Sequence, residues 1–366
     1  MARITIWGDF KANAVDHLNL SGELQLLLNQ SDINIVNFEA PVKSTGKPIR
    51  KSGPNIHQHT DAPQWLEDRG FNVISLANNH TMDYGSDGLH MTMESFKSAK
   101  VAGAGNWDNA YRMTVVNVEG LKIGILAGTH CEFGTLTDKD IGEGCAWCMS
   151  PEFERLIFNG GVDYLIVFNH GGVEYMDYPL PEWRSIYRKW IDMGADAVIA
   201  SHPHVPQGWE MYKGKPICYS LGNFCFQKDK VSAPHWNESL CCILDINSDK
   251  EVSVKVRPVF YDEATQYIND NESTDFMKHM ESLNHVLGDK SKYMSQINAA
   301  VMKLWPKYVG LLVRSGFIYP VKSLGLMKGV AEGFRKEHLY NCIQCESHRW
   351  AIERAMKLKY RIVWGG

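Results

Sequence analysis

Five short apolar runs of the chain end in side chains that can hold a metal or move a proton. Asp9 follows Ile6-Trp7-Gly8, and Asn37 and Glu39 close Val36-Asn37-Phe38-Glu39. Asn78, Asn79 and His80 follow Ser75-Leu76-Ala77, and Asn169 and His170 follow Leu165-Ile166-Val167-Phe168. His202 and His204 follow Ala197-Val198-Ile199-Ala200. Carboxylate, amide and imidazole together are the donor set of a divalent-metal site of mixed oxygen and nitrogen character. Taken singly, Asp9 reads as a turn or cap residue and His80 as loop chemistry. His202-Pro203-His204 is sharper, because Pro203 stiffens the link and an extended segment sends residues i and i+2 to the same side. Independent accidents do not all fall at strand ends, and in α/β folds the carboxyl ends of strands open onto the ligand crevice.

Other candidates carry less. Lys51, beside Arg50 and before Ser52-Gly53-Pro54, could hold an anionic substrate group, or could simply sit in a solvated loop. His57 and His59 repeat the i, i+2 spacing in that loop. His130 and Glu132 follow a strand at 122–126 and could face the crevice, and Glu174 and Tyr175 could support His170. Two C-x-x-C pairs, Cys145/Cys148 and Cys342/Cys345, lie nearly two hundred residues apart, far from a zinc-ribbon spacing, so buried reduced thiols are expected.

The elements that must position these groups alternate. Strands are expected at Ile4–Gly8, Ile33–Phe38, Val73–Ala77, Met113–Val118, Lys122–Leu126, Tyr164–Phe168, Ala197–Ser201, Gly208–Tyr212, Ile217–Ser220, Leu240–Ile246 and Glu251–Val259. Helices are expected at Ala62–Arg69, Ser86–Lys100, Pro151–Asn159 and Pro181–Met193, with Pro at several helix starts. Interleaved strands and helices mean an α/β fold, and the hairpin-rich block at 208–260 means more than one sheet. After about residue 265 the pattern turns helical, at 273–286, 291–314, 322–333 and 336–357. The end of this tail is basic, with Arg335, Lys336, Arg349, Arg354, Lys357, Lys359 and Arg361. That reads as a solvated helix face or a contact for an anionic partner.

The 366 residues carry 38 Lys+Arg against 42 Asp+Glu, which argues against a strongly basic nucleic-acid binder. No apolar run reaches membrane-spanning length. The first residues read as a strand rather than a signal peptide, and nine cysteines in a chain of this size do not look like a disulfide framework. A cytoplasmic protein is expected.

With these residues in hand, the sequence resembles the CapA family of poly-γ-glutamate and capsule biosynthesis proteins, within the calcineurin-like metallophosphoesterase superfamily. The stretches that carry the resemblance are Gly8-Asp9, Asn37-Phe38-Glu39-Ala40-Pro41, and Leu76-Ala77-Asn78-Asn79-His80 with Asp83 and Gly85. They continue with Asn169-His170-Gly171-Gly172, Gly194-Ala195-Asp196-Ala197-Val198-Ile199, His202-Pro203-His204-Val205 and Tyr219-Ser220-Leu221-Gly222-Asn223-Phe224. The resemblance implies a two-sheet sandwich flanked by helices over 1–262, with residues 263–366 a helical C-terminal extension packed on it. Trp305, Leu311, Leu312, Phe317, Leu324, Trp350 and Met356 are its expected apolar contacts.

The resemblance also implies a site of one or two divalent ions (Mn, Zn, Fe, Mg or Ca). Asp9 and His204 would bind the first, Asn79, His170 and His202 the second, and Glu39 would bridge them. His80 would donate a proton or hydrogen bond to substrate, with Lys51 beside it. Lys11 stands where the superfamily usually has a first-site histidine, so the first site is expected to be the weaker, and Gly171 stands where the family commonly has Trp. The implied function is metal-dependent hydrolysis of a phosphoester or amide-type bond in poly-γ-glutamate or surface-polysaccharide production. A metal-dependent epimerase or isomerase on the same scaffold, or a non-catalytic biosynthetic subunit, are the competing readings. The expected partners are an anionic small-molecule or polymer substrate and a membrane biosynthetic complex, with no nucleic acid and no transmembrane segment.

Overall fold

The computed structural model describes residues 1–228, 233–247, 249, 251–323 and 332–361; the side chains of 310–335 fall outside that description. The expected helix at 322–333 lies largely beyond the described residues, as do the side chains of Leu311, Leu312, Phe317 and Leu324.

Two sheets pack face to face. One has nine strands, with Ala2–Lys11 near its middle flanked by Ile33–Phe38 on one side and Glu238–Ile246 on the other. The other has six, centred on Leu121–Thr129, Tyr164–His170 and Ala197–Ser201. Alternation along the strands explains the stacking, because successive side chains point to opposite faces. Ile4, Ile6, Ile33 and Ile35 of the first sheet meet Ile123, Ile125, Ile166, Phe168 and Ile199 of the second in one buried cluster. The alternate residues Val36 and Phe38 pack outward against Leu24, Leu27, Trp65 and Leu89. Leu165, Val167, Val198 and Ala200 pack outward against Phe153, Trp183, Tyr187 and Trp190. The result is a helix–sheet–sheet–helix α/β sandwich.

Several strands and helices fall where the sequence places them, Ile33–Phe38, Ala197–Ser201 and Pro181–Met193 among them. Helix Pro151–Phe158 opens as expected, with Ser150 Oγ accepting from the Phe153 N–H and Pro151 in the first turn. A helix at Gly22–Asn29 and a small three-stranded sheet of Ala104–Asn106, Thr135–Leu136 and Glu143–Ala146 were not expected. Strand Tyr267–Asp270 adds to the nine-stranded sheet, so the sheet continues past residue 262.

Among the described residues four tail helices follow, at Thr274–Gly288, Lys290–Ser323, Glu332–Gln344 and Glu346–Tyr360. Ile297, Val301, Trp305, Ala351 and Ala355 join the cluster on the outer face of the six-stranded sheet, whereas Met356 is exposed. The sequence pattern over 336–357 reads as one helix. In the structure it breaks at Cys345, whose φ of −72° and ψ of 120° are extended. The break lets the last helix start against the core: Glu346 accepts from the Cys131 N–H at 2.8 Å and from the Trp147 indole at 2.8 Å. No helix among the described residues is long and apolar enough to cross a membrane.

Candidate metal centre

The chain ends of neighbouring parallel strands deliver the candidate ligands to one place. Ala2–Lys11 and Ile33–Phe38 run parallel, and so do Tyr164–His170 and Ala197–Ser201. Their carboxyl ends therefore point the same way within each sheet. Asp9 is placed by a bulge: the register shifts around it, and its N–H donates to the Gly222 carbonyl at 2.9 Å. Only glycine fits at position 8, because a Cβ there would lie 1.9 Å from the Gly222 oxygen.

Asp9, Glu39, His170, His202 and His204 are all buried and close together. Ligand atoms of Asp9, Glu39 and His170 lie within 4.8 Å of one another. Asp9 Oδ1 is 3.5 Å from His170 Nδ1, and Asp9 Oδ2 accepts from the His202 backbone N–H at 3.1 Å. His170 Nε2 stands 3.0 Å from Asn79 Oδ1 and 3.0 Å from His202 Nδ1. Glu39 Oε1 lies 3.6 Å from His204 Nε2, 3.9 Å from His170 Nε2 and 4.0 Å from His80 Nε2. Glu39 thus has Asp9, His170 and His204 around it, and Asn79 and His202 join the group through His170.

The backbone is strained where it makes these turns. Ala40, His202 and His204 have φ of 99°, 102° and 59°, and Tyr175, whose ring faces His204, has 63°. Non-glycine residues in this region cost on the order of 1–3 kcal/mol each and persist where function holds them.

Glu39 is the telling residue. Both of its carboxylate oxygens are buried without a hydrogen-bond partner among the described residues. Burial, together with the charges of Asp9 and Glu174, holds its carboxyl well above the usual range. Burial would raise Asp9 as well, but pairing with His170 leaves it below the ordinary value. A buried carboxylate left unpaired costs several kcal/mol. A cation among Glu39, Asp9 and three imidazoles removes that cost, so the residues present fit a divalent ion.

Three amides orient these groups: Asn37 and Asn78, which the sequence offers among the strand-end side chains, and Asn223, which it does not single out. Asn223 Oδ1 lies 3.0 Å from His204 Nδ1. An amide oxygen only accepts, so Nδ1 carries the proton and the bare Nε2 faces Glu39. The Asn37 amide nitrogen lies 2.7 Å from Asp9 Oδ1 and 3.1 Å from His170 Nδ1, and Asn78 donates to Asn37 Oδ1 at 3.2 Å. Asn37 and Asn78 sit inside the motifs, so their spacing beside ligands was the available signal. Asn223 had none beyond its place in the Leu221-Gly222-Asn223-Phe224 stretch.

His80 and Lys51 form a separate pair at the rim. His80 Nδ1 is 2.7 Å from Asp83 Oδ2 and 3.0 Å from Lys51 Nζ, and Lys51 is ion-paired with the other Asp83 oxygen. Lys51 is buried, not part of a solvated loop. Burial and the Lys51 charge push His80 down to about 4. The Asp83 carboxylate, the nearer partner of Nδ1, only accepts, so Nδ1–H points at Asp83 and the bare Nε2 turns toward Glu39, while the Lys51 ammonium donates to the other Asp83 oxygen. A cavity of about 230 Å³ opens beside them, lined by Asn79, His80, Lys51 and Glu174 and, from the tail, by Lys307 and Tyr308. Lys11 points elsewhere: its amine meets Asn13 and donates to the Gln227 carbonyl at 3.0 Å. His57 lies against the Tyr84 ring and His59 beside Asp61, away from this cluster. The nine cysteines are unpaired and buried, and Cys145 sits against the Leu76 and Asn78 carbonyls.

The family model described as bacterial capsule synthesis protein PGA_cap matches residues 1–228. The chain belongs to this family. That span holds all six candidate ligands of this chain and stops short of the tail helices. Among curated proteins, the capsule biosynthesis protein CapA of Bacillus anthracis is 33% identical over 215 residues, which is 55% of this chain and 52% of that protein. The PGA biosynthesis protein CapA of Bacillus subtilis is 32% identical over 210 residues, 55% of each chain. The chain thus spans about half the length of the curated relatives it matches. Among solved structures, a hypothetical protein from Thermus thermophilus aligns over 70% of this chain and 98% of its own, with TM-score 0.46 and 14% identity. A 5'-nucleotidase precursor from the same organism aligns over 77% of this chain and 58% of its own, with TM-score 0.42 and 13% identity.

Proposed function

We propose that this PGA_cap chain is a metal-dependent hydrolase of a phosphoester or amide-type bond, working in the production of poly-γ-glutamate or a capsular polysaccharide. The observation that carries the reading is the Glu39 carboxylate, buried and unpartnered, with Asp9 and the imidazoles of His170, His202 and His204 around it. Asp9, Glu39, Asn79, His170, His202 and His204 would hold one or two divalent ions, with Mn²⁺, Zn²⁺ and Fe²⁺ suiting the imidazoles and Mg²⁺ or Ca²⁺ the carboxylates. Such ions supply Lewis-acid polarisation of the scissile group and activation of water.

The chain's own residues do the rest. Asn223 fixes the His204 tautomer, and Asn37 holds Asp9 and His170 in place. Asp83 and Lys51 lock the His80 ring, which presents a neutral Nε2 able to take a proton and return it to a leaving group. The cavity beside His80, with Lys51 and Lys307 in its wall, suits an anionic small molecule or polymer end. Buried unpaired thiols support a cytoplasmic place of action, and membership of a capsule synthesis family supports contact with a membrane biosynthetic complex.

The test is turnover by the full-length chain loaded with Mn²⁺ or Zn²⁺, on aryl phosphate mono- and diesters and on γ-linked glutamate oligomers. Hydrolysis of one class, abolished by chelator and by Glu39→Gln, is the expected result. A metal-loaded protein that cleaves neither class overturns the hydrolase reading. Deuterium uptake at a carbon without cleavage would favour an epimerase instead.

A further inference from the structure

The end of strand Leu121–Thr129 and the start of the last helix gather metal-competent side chains outside the cluster described above. Ligand atoms of His130, Glu132 and Cys345 lie within 4.8 Å of one another. His130 Nε2 stands 3.9 Å from Glu132 Oε1, and His348 Nε2 stands 3.7 Å from the same oxygen. These separations are too long for hydrogen bonds. They are near the ligand-to-ligand edges, about 3.3–3.8 Å, of a tetrahedral site with bonds of about 2.0–2.3 Å.

Each imidazole has its other nitrogen held by a hydroxyl. His130 Nδ1 lies 3.0 Å from Ser347 Oγ, which also accepts from the Trp183 indole at 2.9 Å. His348 Nδ1 lies 2.9 Å from the Tyr308 hydroxyl. Such contacts fix ring orientation in metal-binding histidines. They leave both Nε2 atoms toward Glu132. His130 is fully buried, and its Nε2 has no hydrogen-bond partner among the described residues. The Cys345 sulfur lies 3.7 Å from the His130 ring nitrogen Nδ1.

The geometry points to a second metal site, in which His130, Glu132 and Cys345 hold a zinc-class ion with His348 as fourth donor. A nitrogen, oxygen and sulfur donor set favours Zn²⁺, Co²⁺ or Fe²⁺ over Mg²⁺ or Ca²⁺. On binding, the Cys345 S–H proton leaves to solvent and a metal–thiolate bond forms, with no change of oxidation state. One thiolate and one carboxylate then neutralise the two positive charges, as a buried site requires. His130 and Glu132 belong to the core, Cys345 and His348 to the last helix. The ion therefore clasps the extension to the sandwich, beside His202, whose ring centroid is 4.5 Å from that of His130. This site does not depend on the hydrolase reading.

Cobalt separates the two sites. The first cluster offers only oxygen and nitrogen donors, so a cobalt–thiolate charge-transfer band in the near ultraviolet reports the Cys345 site alone. Chelator-stripped full-length protein titrated with Co²⁺ should develop that band, saturating at about one cobalt per chain for this site. Cys345→Ser should abolish it while visible cobalt absorption from the first cluster remains, and Cys342→Ser should keep it. His130→Gln, which removes a donor, should weaken cobalt binding here by more than the roughly 10–100-fold that loss of an orienting contact costs. No charge-transfer band at saturating cobalt in the unmodified protein overturns the site, and so does a band unchanged in Cys345→Ser. Where the serine variant does not fold, X-ray absorption on the zinc-loaded unmodified protein decides: a zinc–sulfur path supports the site, and its absence overturns it.

Discussion

Two buried polar clusters meet back to back at the rings of His130 and His202, and they are assembled in different ways. The Asp9–Glu39–His204 cluster is made by strand ends, inside the matched span 1–228. The His130–Glu132–Cys345 cluster takes half of its donors from a helix start more than two hundred residues further along the chain. The first depends on parallel strands in register. The second depends on a break in a helix and on how the extension docks. The two should therefore respond differently to the same perturbations.

The largest effect should come from removing the extension. A chain ending at residue 272 uncovers Trp183, Tyr187 and Ile191, which pack with Ile297, Val301 and Trp305 in one cluster. Insoluble or aggregated protein is expected, read by solubility and size-exclusion chromatography. A monodisperse truncation would show that the sandwich stands without its extension.

Next comes Glu346→Ala. It leaves the buried Cys131 N–H and Trp147 indole without their acceptor, at a cost of about 2–4 kcal/mol in urea unfolding. Metal binding at the first cluster should be kept, because Glu346 touches none of its ligands.

Glu39→Gln should change sign with metal. In the stripped protein it removes a carboxyl that burial beside Asp9 either leaves charged or forces to take up a proton, and should stabilise by about 1–3 kcal/mol. In the metal-loaded protein it removes a ligand and should destabilise. Thermal unfolding with and without Mn²⁺ reads both, and a change of the same sign in both conditions would sever Glu39 from the metal.

The smallest effect lies far from both clusters. Glu210 is half-buried against Arg188, Arg184 and the Tyr219 hydroxyl; burial raises its carboxyl, but those hydrogen bonds win and bring it to about 2. A depressed carboxyl stabilises the fold above its unfolded pKa, near 4.3, and loses that contribution as pH falls toward 2. Glu210→Gln should therefore cost about 1–3 kcal/mol at pH 7 and little at pH 2, measured by chemical unfolding across that range.

The same contrast explains what could be read from the sequence. Ile33–Phe38 and Ala197–Ser201 are short apolar-rich runs followed by polar residues, so the sheets and the candidate ligands at their ends were legible from local pattern. Lys51 was legible as a residue near the site but not as a buried partner of Asp83, because its burial comes from packing. Asn223 was not legible as the residue that sets the His204 ring, since a hydrogen bond between strand end and turn has no spacing signature. The break at Cys345 was missed because helical periodicity runs through it. The contacts of Glu346 with Cys131 and Trp147, which hold the new helix start in place, are long-range.

The central claim is that Glu39 and its neighbours form a divalent-metal centre. Calorimetric titration of Mn²⁺ into chelator-stripped full-length protein tests it most directly, because manganese favours the oxygen- and nitrogen-lined cluster over the thiol-containing one. Saturable binding is expected in the unmodified chain, abolished by His202→Ala and strongly weakened by Glu39→Gln. No binding at all, or binding left unchanged by both substitutions, would contradict it.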